Sequence, residues 1–197
     1  MTEAPRGDAT AVTLSADSRR RACPRPPMFC SLHVCTAPPE PVLLFAHDFC
    51  APPRGAPPAD AYEGALADAL ADAPAPLLLA PPPPGAAPPA PGAPAAGGGD
   101  YVAAVAGRLV VVRAFGGLLF CLAGGPGADE AALADALPGL AALVAATCDG
   151  RLTPAQLVAF HGKVAVCLAV ACPGGALRHT DVQAVLKLAK LKSSAGA

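Results

Sequence analysis

The sequence has little charge and no excess of either sign. Only 15% of its 197 residues are Asp, Glu, Lys or Arg, and the formal net charge is −1. A balance this close to neutral excludes a strong electrostatic field over the whole chain, so neither nucleic acid nor a membrane surface is predicted as a direct partner. Basic residues do gather near the end, at Arg178, Lys187, Lys190 and Lys192. On a terminal helix they are typical of a solvated face that suits the helix dipole, and contact with anionic lipid is the alternative.

The chain also lacks an apolar signal-peptide core at its start and a plausible membrane-spanning segment. Val102–Ala123 is long enough to span a bilayer, but it carries Arg108 and Arg113 in its middle. Each central arginine would cost ~2.5–3.5 kcal/mol on insertion. Val164–Cys172 is apolar but too short, and no better candidate follows. We therefore expect a soluble cytoplasmic protein.

No cysteine spacing is typical of a metal site or a disulfide framework. Among the eight cysteines, the nearest to a cluster are Cys30 and Cys35, with His33 between them. In a strand, positions 33 and 35 share a face while 30 points the other way, so the three are not expected to reach one ion. The cysteines at 121, 148, 167 and 172 lie in apolar runs and are expected to be small buried hydrophobes. Free thiols are natural in a reducing cytosol, and no metal or cofactor is predicted.

No arrangement typical of catalysis is present either. His47 and Asp48 are adjacent in a predicted strand and point to opposite faces, so they cannot act together as an acid/base pair. The stretch Gly124–Gly127 links a strand to a helix, as a phosphate loop does. However, it lacks the Lys-Ser/Thr pair, and Asp129 and Glu130 disfavour an anion there. We predict that the chain is not an enzyme and takes no small-molecule substrate.

Proline and glycine divide the chain into parts that can and cannot form a core. The segment 73–99 holds ten prolines and five glycines. We predict that this insert is disordered, because it has few large apolar side chains to offset the entropy lost on ordering. Residues 1–27 are predicted to be a disordered tail, and residues 193–197 are predicted to be a tail outside the domain. The folded domain is then expected to span 28–192, interrupted by the insert.

The most strand-like stretch is Tyr101–Leu122, in which Gly107 and the pair Gly116-Gly117 interrupt apolar and β-branched runs. Strands joined by turns this tight can only be antiparallel. The residue patterns elsewhere predict two more strands and four helices: strands Met28–Cys35 and Val42–Phe49, and helices Ala59–Ala71, Asp129–Cys148, Pro154–Ala171 and one that begins after Thr180. The predicted fold class is α+β, a five-stranded antiparallel sheet covered by helices in the order β-β-α-β-β-β-α-α-α.

Three residues predict the behaviour of particular helices. Pro138 removes one backbone hydrogen bond and is expected to kink the helix that contains it. Thr153, followed by a proline, is typical of an N-cap. Thr180, with Gln183 three residues later, is typical of a capping box for the last helix.

This order of elements, with these residues, resembles the longin-type small chains of vesicle-coat adaptors: adaptor sigma chains, coatomer zeta and the small subunit of the TSET complex. MFCSLHVCTAPPEPVLLFAHDF is similar to the opening hairpin of a sigma chain, which makes Met28 a candidate start. RLVVVRAFGGLLFCLAGG is similar to the next hairpin of the family, and HGKVAVCLAVACPGGALRHTDVQAVLKLAKLK to its closing helix-turn-helix. The motif His161-Gly162-Lys163 resembles the TSET small subunit more than it resembles ordinary sigma chains. The matched blocks cover about 22–49 and 101–192.

The resemblance implies a function. It implies a non-enzymatic small subunit of a heteromeric adaptor or coat complex that acts in vesicle-mediated protein transport or endocytosis. The partners would be a large adaptin-like solenoid chain and the other chains of the complex. The chain would then be cytoplasmic and would reach coated vesicles, plasma or Golgi/endosomal membranes only peripherally, through the complex. The alternative is a free-standing longin or roadblock-like module that binds a small GTPase or its regulator.

The sequence departs from the family at two places. The acidic pair usual in the penultimate helix is replaced by Ala169 and Val170. Sigma chains that bind acidic dileucine signals place a basic residue early in the second strand, where this chain has Val42. The groove of such chains would fall here on six small or aliphatic residues: Val42, Gly116, Leu118, Ala142, Leu152 and Leu157. Ordinary core packing is the competing interpretation of all six.

Overall fold

The computed structural model describes residues 28–37, 41–51, 57–73 and 96–194. The predicted tail 1–27, most of the predicted insert and residues 195–197 lie outside these ranges. The described residues form five strands and five α-helices: β1 Phe29–Thr36, β2 Leu43–Asp48, α1 Ala59–Ala71, β3 Ala96–Val105, β4 Arg108–Phe115, β5 Leu118–Gly124, α2 Glu130–Thr147, α3 Pro154–Ala159, α4 His161–Ala171 and α5 Val182–Ser194.

The strands form one open antiparallel sheet in the order β2-β1-β5-β4-β3. Two-residue turns join β3 to β4 and β4 to β5, and all four turn residues have positive φ, as in type I′ hairpins. The predicted α+β class and the predicted order of elements are confirmed, and this arrangement is compatible with a longin-like fold. The strand order places β1 beside β5, so the first and last of the described strands are neighbours in the interior of the sheet.

Helices cover both faces of the sheet. On β5 the side chains alternate: Leu118, Phe120 and Leu122 face a core that α2, α4 and α5 complete. Leu119 and Cys121 face a second core beneath α1. Every residue of β5 is buried, because a central strand with both faces covered has no solvent side. The core beneath α1 rests on Tyr62, Leu66 and Leu70, which lie four residues apart on one side of that helix.

The predicted insert 73–99 was too long at both ends. Ala73 is 6% exposed and packs beneath α1. At the other end, β3 begins at Ala96, whose backbone pairs with Phe115, and Gly97 pairs with Ala114. Backbone pairing needs no side chain, so the glycine-rich stretch can continue a strand although its composition is typical of a linker.

The helix α2 is the one helix in the described part of the chain that is long and apolar enough to cross a membrane, with a mean hydropathy of 1.3 over 18 residues. The sequence reading overlooked it. Half of it is buried within the domain, as expected for a core helix, so it is weak evidence for a membrane span. The helix continues through Pro138, which lies on its exposed side.

The predicted helix Pro154–Ala171 is divided at Phe160, which ends α3 and precedes α4 with φ −100° and ψ 12°. The cap at its start is as predicted: Thr153 Oγ1 accepts a hydrogen bond from the Gln156 backbone N–H at 3.3 Å. The capping prediction for the last helix was wrong by one residue. Asp181 Oδ1, not Thr180, accepts from the N–H groups of Gln183 and Ala184 at 2.9 and 3.3 Å. Both types are good caps, and a carboxylate also suits the positive end of the helix dipole.

Candidate functional site

Two of the six predicted groove residues, Gly116 and Leu152, meet at the β4–β5 turn. Gly116 occupies the β4–β5 turn with φ +59°, and a Cβ placed on it would lie 3.2 Å from the Cβ of Leu152. Leu118 begins β5 and pairs with Thr36 at the end of β1. Leu152 and Leu157 come from the loop after α2 and from α3. The fold therefore brings the β4–β5 turn against the loop after α2, and it places Leu118, Leu152 and Leu157 in one core.

These residues are mostly internal. Leu118, Leu152 and Leu157 are 2%, 9% and 0% exposed and belong to the same core. In this arrangement a ligand could touch them only if neighbouring residues moved. The packing role that competed with the groove role is thus present at these three positions, and the groove role stays a prediction.

The other two predicted residues lie apart from this group. Val42 precedes β2 with 56% of its surface exposed, and its N–H donates to Thr36 Oγ1 at 2.8 Å. It neighbours the Leu118 end of the sheet but offers no charge to a carboxylate. Ala142 is half-exposed on α2 and is not a member of the core that contains the leucines.

A polar cluster that the sequence analysis missed is buried beneath α1. Its residues are Ser31 and His33 of β1 and Tyr62 of α1, with the ring centroids of His33 and Tyr62 5.4 Å apart. Three buried polar atoms have no hydrogen-bond partner among the described residues: Ser31 Oγ, His33 Nδ1 and Tyr62 Oη. The guanidinium of Arg108 lies 4.8 Å from the centre of the Tyr62 ring and caps the cluster.

Burial controls the titration of this cluster. Desolvation lowers the pKa of His33 from 6.5 to about 4, with Asp48 opposing the shift and Arg108 adding to it. Desolvation also raises the pKa of Tyr62 to about 12. Both side chains are therefore uncharged at neutral pH, because burial disfavours the charged form of each.

The expected division of Cys30 and Cys35 between opposite faces was wrong. The pairing of β1 with β5 shifts register between Phe29 and Ser31, and this bulge places Cys30 in the core beneath α1 together with Cys35. His33 pairs directly with Cys121 across β1 and β5. Strict alternation cannot reveal such a bulge, so no sequence pattern would have found it.

These thiols lack the surroundings of a nucleophile. The hydrogen bond with the neighbouring Cys35 thiol, and then burial, raise the pKa of Cys121 well above its usual 9.0, and burial raises the pKa of Cys50 to about 11 and that of Cys172 to about 12. The Cys121 thiol in turn lowers the pKa of Cys35, against the effect of burial. Since reactivity follows the exposed thiolate, this is the environment of structural cysteines. In the described part of the chain all seven cysteines are unpaired, and no three His, Cys, Asp or Glu side chains are grouped to hold a metal ion.

Two comparisons with known proteins found no relative of this chain. No known protein-family model matches the chain, and a search of curated proteins finds no significant match.

Proposed function

We propose that this chain is a non-enzymatic small subunit of a heteromeric adaptor or coat complex in vesicle-mediated transport. Two kinds of observation support the proposal. The first is the fold, whose element order and five-stranded antiparallel sheet are compatible with a longin-like small chain. The second, which carries the proposal, is the composition of one exposed helical face.

That surface is the α3–α4 outer face. Between 154 and 172 nine residues are exposed, and of these only Lys163 carries a formal charge. Val158 and Val166 expose 59% and 40% of their surface. The nine residues are Pro154, Ala155, Val158, Ala159, His161, Gly162, Lys163, Val166 and Ala169.

Isolated exposed apolar residues are normal, but a pair of helices with one charge among nine exposed residues favours a protein interface. Its alanines and glycine would let the backbone of a partner helix approach closely. A large helical solenoid offers such helices, and an obligate interface of this kind buries on the order of 2,000 Å² or more. Contact with a membrane would then be peripheral and made through the complex.

The test is recovery of the full-length tagged chain from its native cells, with the co-purifying chains identified by mass spectrometry. We expect a large helical-repeat chain in stoichiometric amount. Val158→Lys should reduce its recovery about tenfold or more, because a charge buried at the centre of an interface is costly. The matched control is Ala67→Lys on the exposed side of α1, beyond the opposite face of the sheet, which should leave recovery unchanged.

Two results would contradict the proposal. One is recovery of the large chain at equal levels with Val158→Lys and Ala67→Lys, which would place the interface elsewhere. The other is a soluble, monodisperse monomer that melts cooperatively and gains nothing from any large chain. That second result would favour the free-standing module that binds a small GTPase or its regulator.

A further inference from the structure

A cleft of about 680 Å³ lies between α4 and α5, beside the end of α2. Val166 and Leu186 give it apolar walls, and Lys163, Lys187 and Lys190 bring three ammonium groups to it. One acidic residue, Asp149, also lines it. The cleft is formed entirely within this chain and does not involve the six predicted groove residues.

The three lysines differ in how strongly the fold holds them. Lys163 Nζ donates to the carbonyl oxygen of Thr147 at 3.4 Å and lies 5.2 Å from the centre of the Phe160 ring. It is therefore fixed at the negative end of the α2 dipole, and its other protons can still bind an acceptor. Lys187 and Lys190 are exposed and form no ion pair with another described residue.

Asp149 opposes this positive charge, and its backbone is held in an unusual conformation. It follows α2 with φ +55°, a region that glycine, asparagine and aspartate tolerate best. The next residue, Gly150, has φ +80° and donates its N–H to the Ala145 carbonyl at 2.8 Å, which closes the helix end. Asp149 is thus placed rigidly at the cleft and offsets part of its charge.

We propose that this cleft binds an acidic peptide segment of a partner protein, with apolar side chains between α4 and α5 and carboxylates against the lysines. Charge complementarity selects the acidic sequence, and the walls select an apolar residue within it. The proposal does not rest on the subunit role described above, although Gly162, Lys163 and Val166 belong to both surfaces.

Other occupants fit the cleft less well. Attraction to an anionic bilayer usually takes a cluster of about four to eight Lys or Arg residues, whereas three lysines and one aspartate line this concave site. A nucleotide base would find no stacking partner, since none of the described residues that line the cleft is aromatic.

The experiment measures fluorescence polarisation of labelled synthetic peptides with the full-length chain. The probe is a short peptide of alternating glutamate and leucine, compared with a lysine-leucine twin and a glutamate-serine twin. We expect saturable binding of the glutamate-leucine peptide alone, and weaker binding as salt is raised, because exposed charges are screened. Vesicles of phosphatidylcholine with and without phosphatidylserine form a separate arm.

Three variants localise the binding. Lys187→Glu should weaken it about fivefold and Lys187→Glu with Lys190→Glu about tenfold or more, given the usual range for exposed ion pairs and the added repulsion. Arg178→Glu is the matched control: it changes the charge equally on an exposed residue outside the cleft and should leave affinity unchanged. Asp149→Asn should bind about two- to fivefold tighter, because it removes the opposing charge and asparagine tolerates the backbone conformation.

Each contrary outcome overturns the proposal. Absence of saturation up to about 1 mM peptide at low salt excludes a useful site. Equal losses with Lys187→Glu and Arg178→Glu would show that only net charge matters. Binding to phosphatidylserine vesicles without peptide binding would assign the lysines to a lipid surface instead. Asp149→Asn keeps the test informative if the charge reversals disturb α5, because this variant is expected to gain affinity for the peptide rather than lose it.

Discussion

Acidification should destabilise this protein through one buried histidine. His33 is 4% exposed, and burial lowers its pKa from 6.5 to about 4. The unfolded chain therefore binds more protons than the folded one between these two values. Stability is fully present above about pH 6.5 and is lost as the pH falls towards 4.

The size of the effect follows from the width of that interval. A gap of about 2.5 between the two pKa values, at about 1.4 kcal/mol per unit, corresponds to about 3–4 kcal/mol when complete and about 2 kcal/mol at pH 5. A domain of this kind unfolds with about 5–15 kcal/mol, so the loss is measurable. Burial also lowers the pKa of His47, which adds in the same direction.

The groups around His33 do not cancel this effect. Asp48 raises its pKa and Arg108 lowers it, both less than burial does. Tyr62, whose ring faces the imidazole, has a pKa raised to about 12 and stays neutral throughout.

The assay is urea unfolding of the full chain at pH 7.5 and pH 5.0, followed by circular dichroism. His33→Gln should lose about 2 kcal/mol less than the parent between the two pH values, since glutamine has no proton to bind. A lower baseline stability of the variant does not affect this comparison. His179→Gln is the control, because His179 is exposed, and it should behave as the parent does. Equal pH-dependent losses in the parent and in His33→Gln would refute the argument that burial of this imidazole governs acid stability.

Three further predictions concern single residues. Gly64→Ala should raise the free energy of unfolding by about 0.5–1 kcal/mol in urea unfolding, because nothing lies within 4 Å of the carbon added to α1. Gly124→Ala should lower the free energy of unfolding by about 1–3 kcal/mol, because the carbon added to β5 would lie 2.4 Å from another side chain. Asp181→Ala should cost about 1 kcal/mol in thermal melts and Thr180→Ala close to nothing, and the reverse order would restore the capping box predicted from sequence. Acidic dileucine peptides should not bind at the groove predicted around Val42 in calorimetric titrations, because Val42 carries no charge at the expected position; micromolar binding that Val42→Asp abolishes and Lys187→Glu leaves unchanged would contradict this.

The local patterns of the sequence were enough to predict the fold class. Tight glycine turns required antiparallel strands, and Tyr62, Leu66 and Leu70 placed α1 at its observed bounds, Ala59–Ala71. The pairing of strands that are distant in the chain could not be predicted from these local patterns. Nothing in the sequence indicates that β1 pairs with β5 or that a bulge turns Cys30 towards α1, because both depend on neighbours far away in the chain.

The candidate site was predictable only in part. Gly116 and Leu152 do meet, as an end-of-sheet groove requires. Whether Leu118 and Leu157 line a surface or fill a core depends on what covers them, and an aliphatic residue is equally suited to both. The buried trio of Ser31, His33 and Tyr62 could not be found from sequence, since each residue alone is unremarkable on a strand or a helix.

The pairing at the centre of the sheet has a consequence for synthesis on the ribosome. Leu32 pairs with Leu122, so about 90 further residues must be made after Leu32 before β1 can meet β5. At a usual rate of about 5–20 residues per second, this takes roughly 5–20 s. During that time the nascent chain carries the β1–β2 hairpin with the inner edge of β1 unpaired, and an open edge of this kind can pair with a neighbouring chain. The time between the synthesis of β1 and the synthesis of β5 is therefore the period in which nascent copies on one messenger RNA are most exposed to pairing with each other.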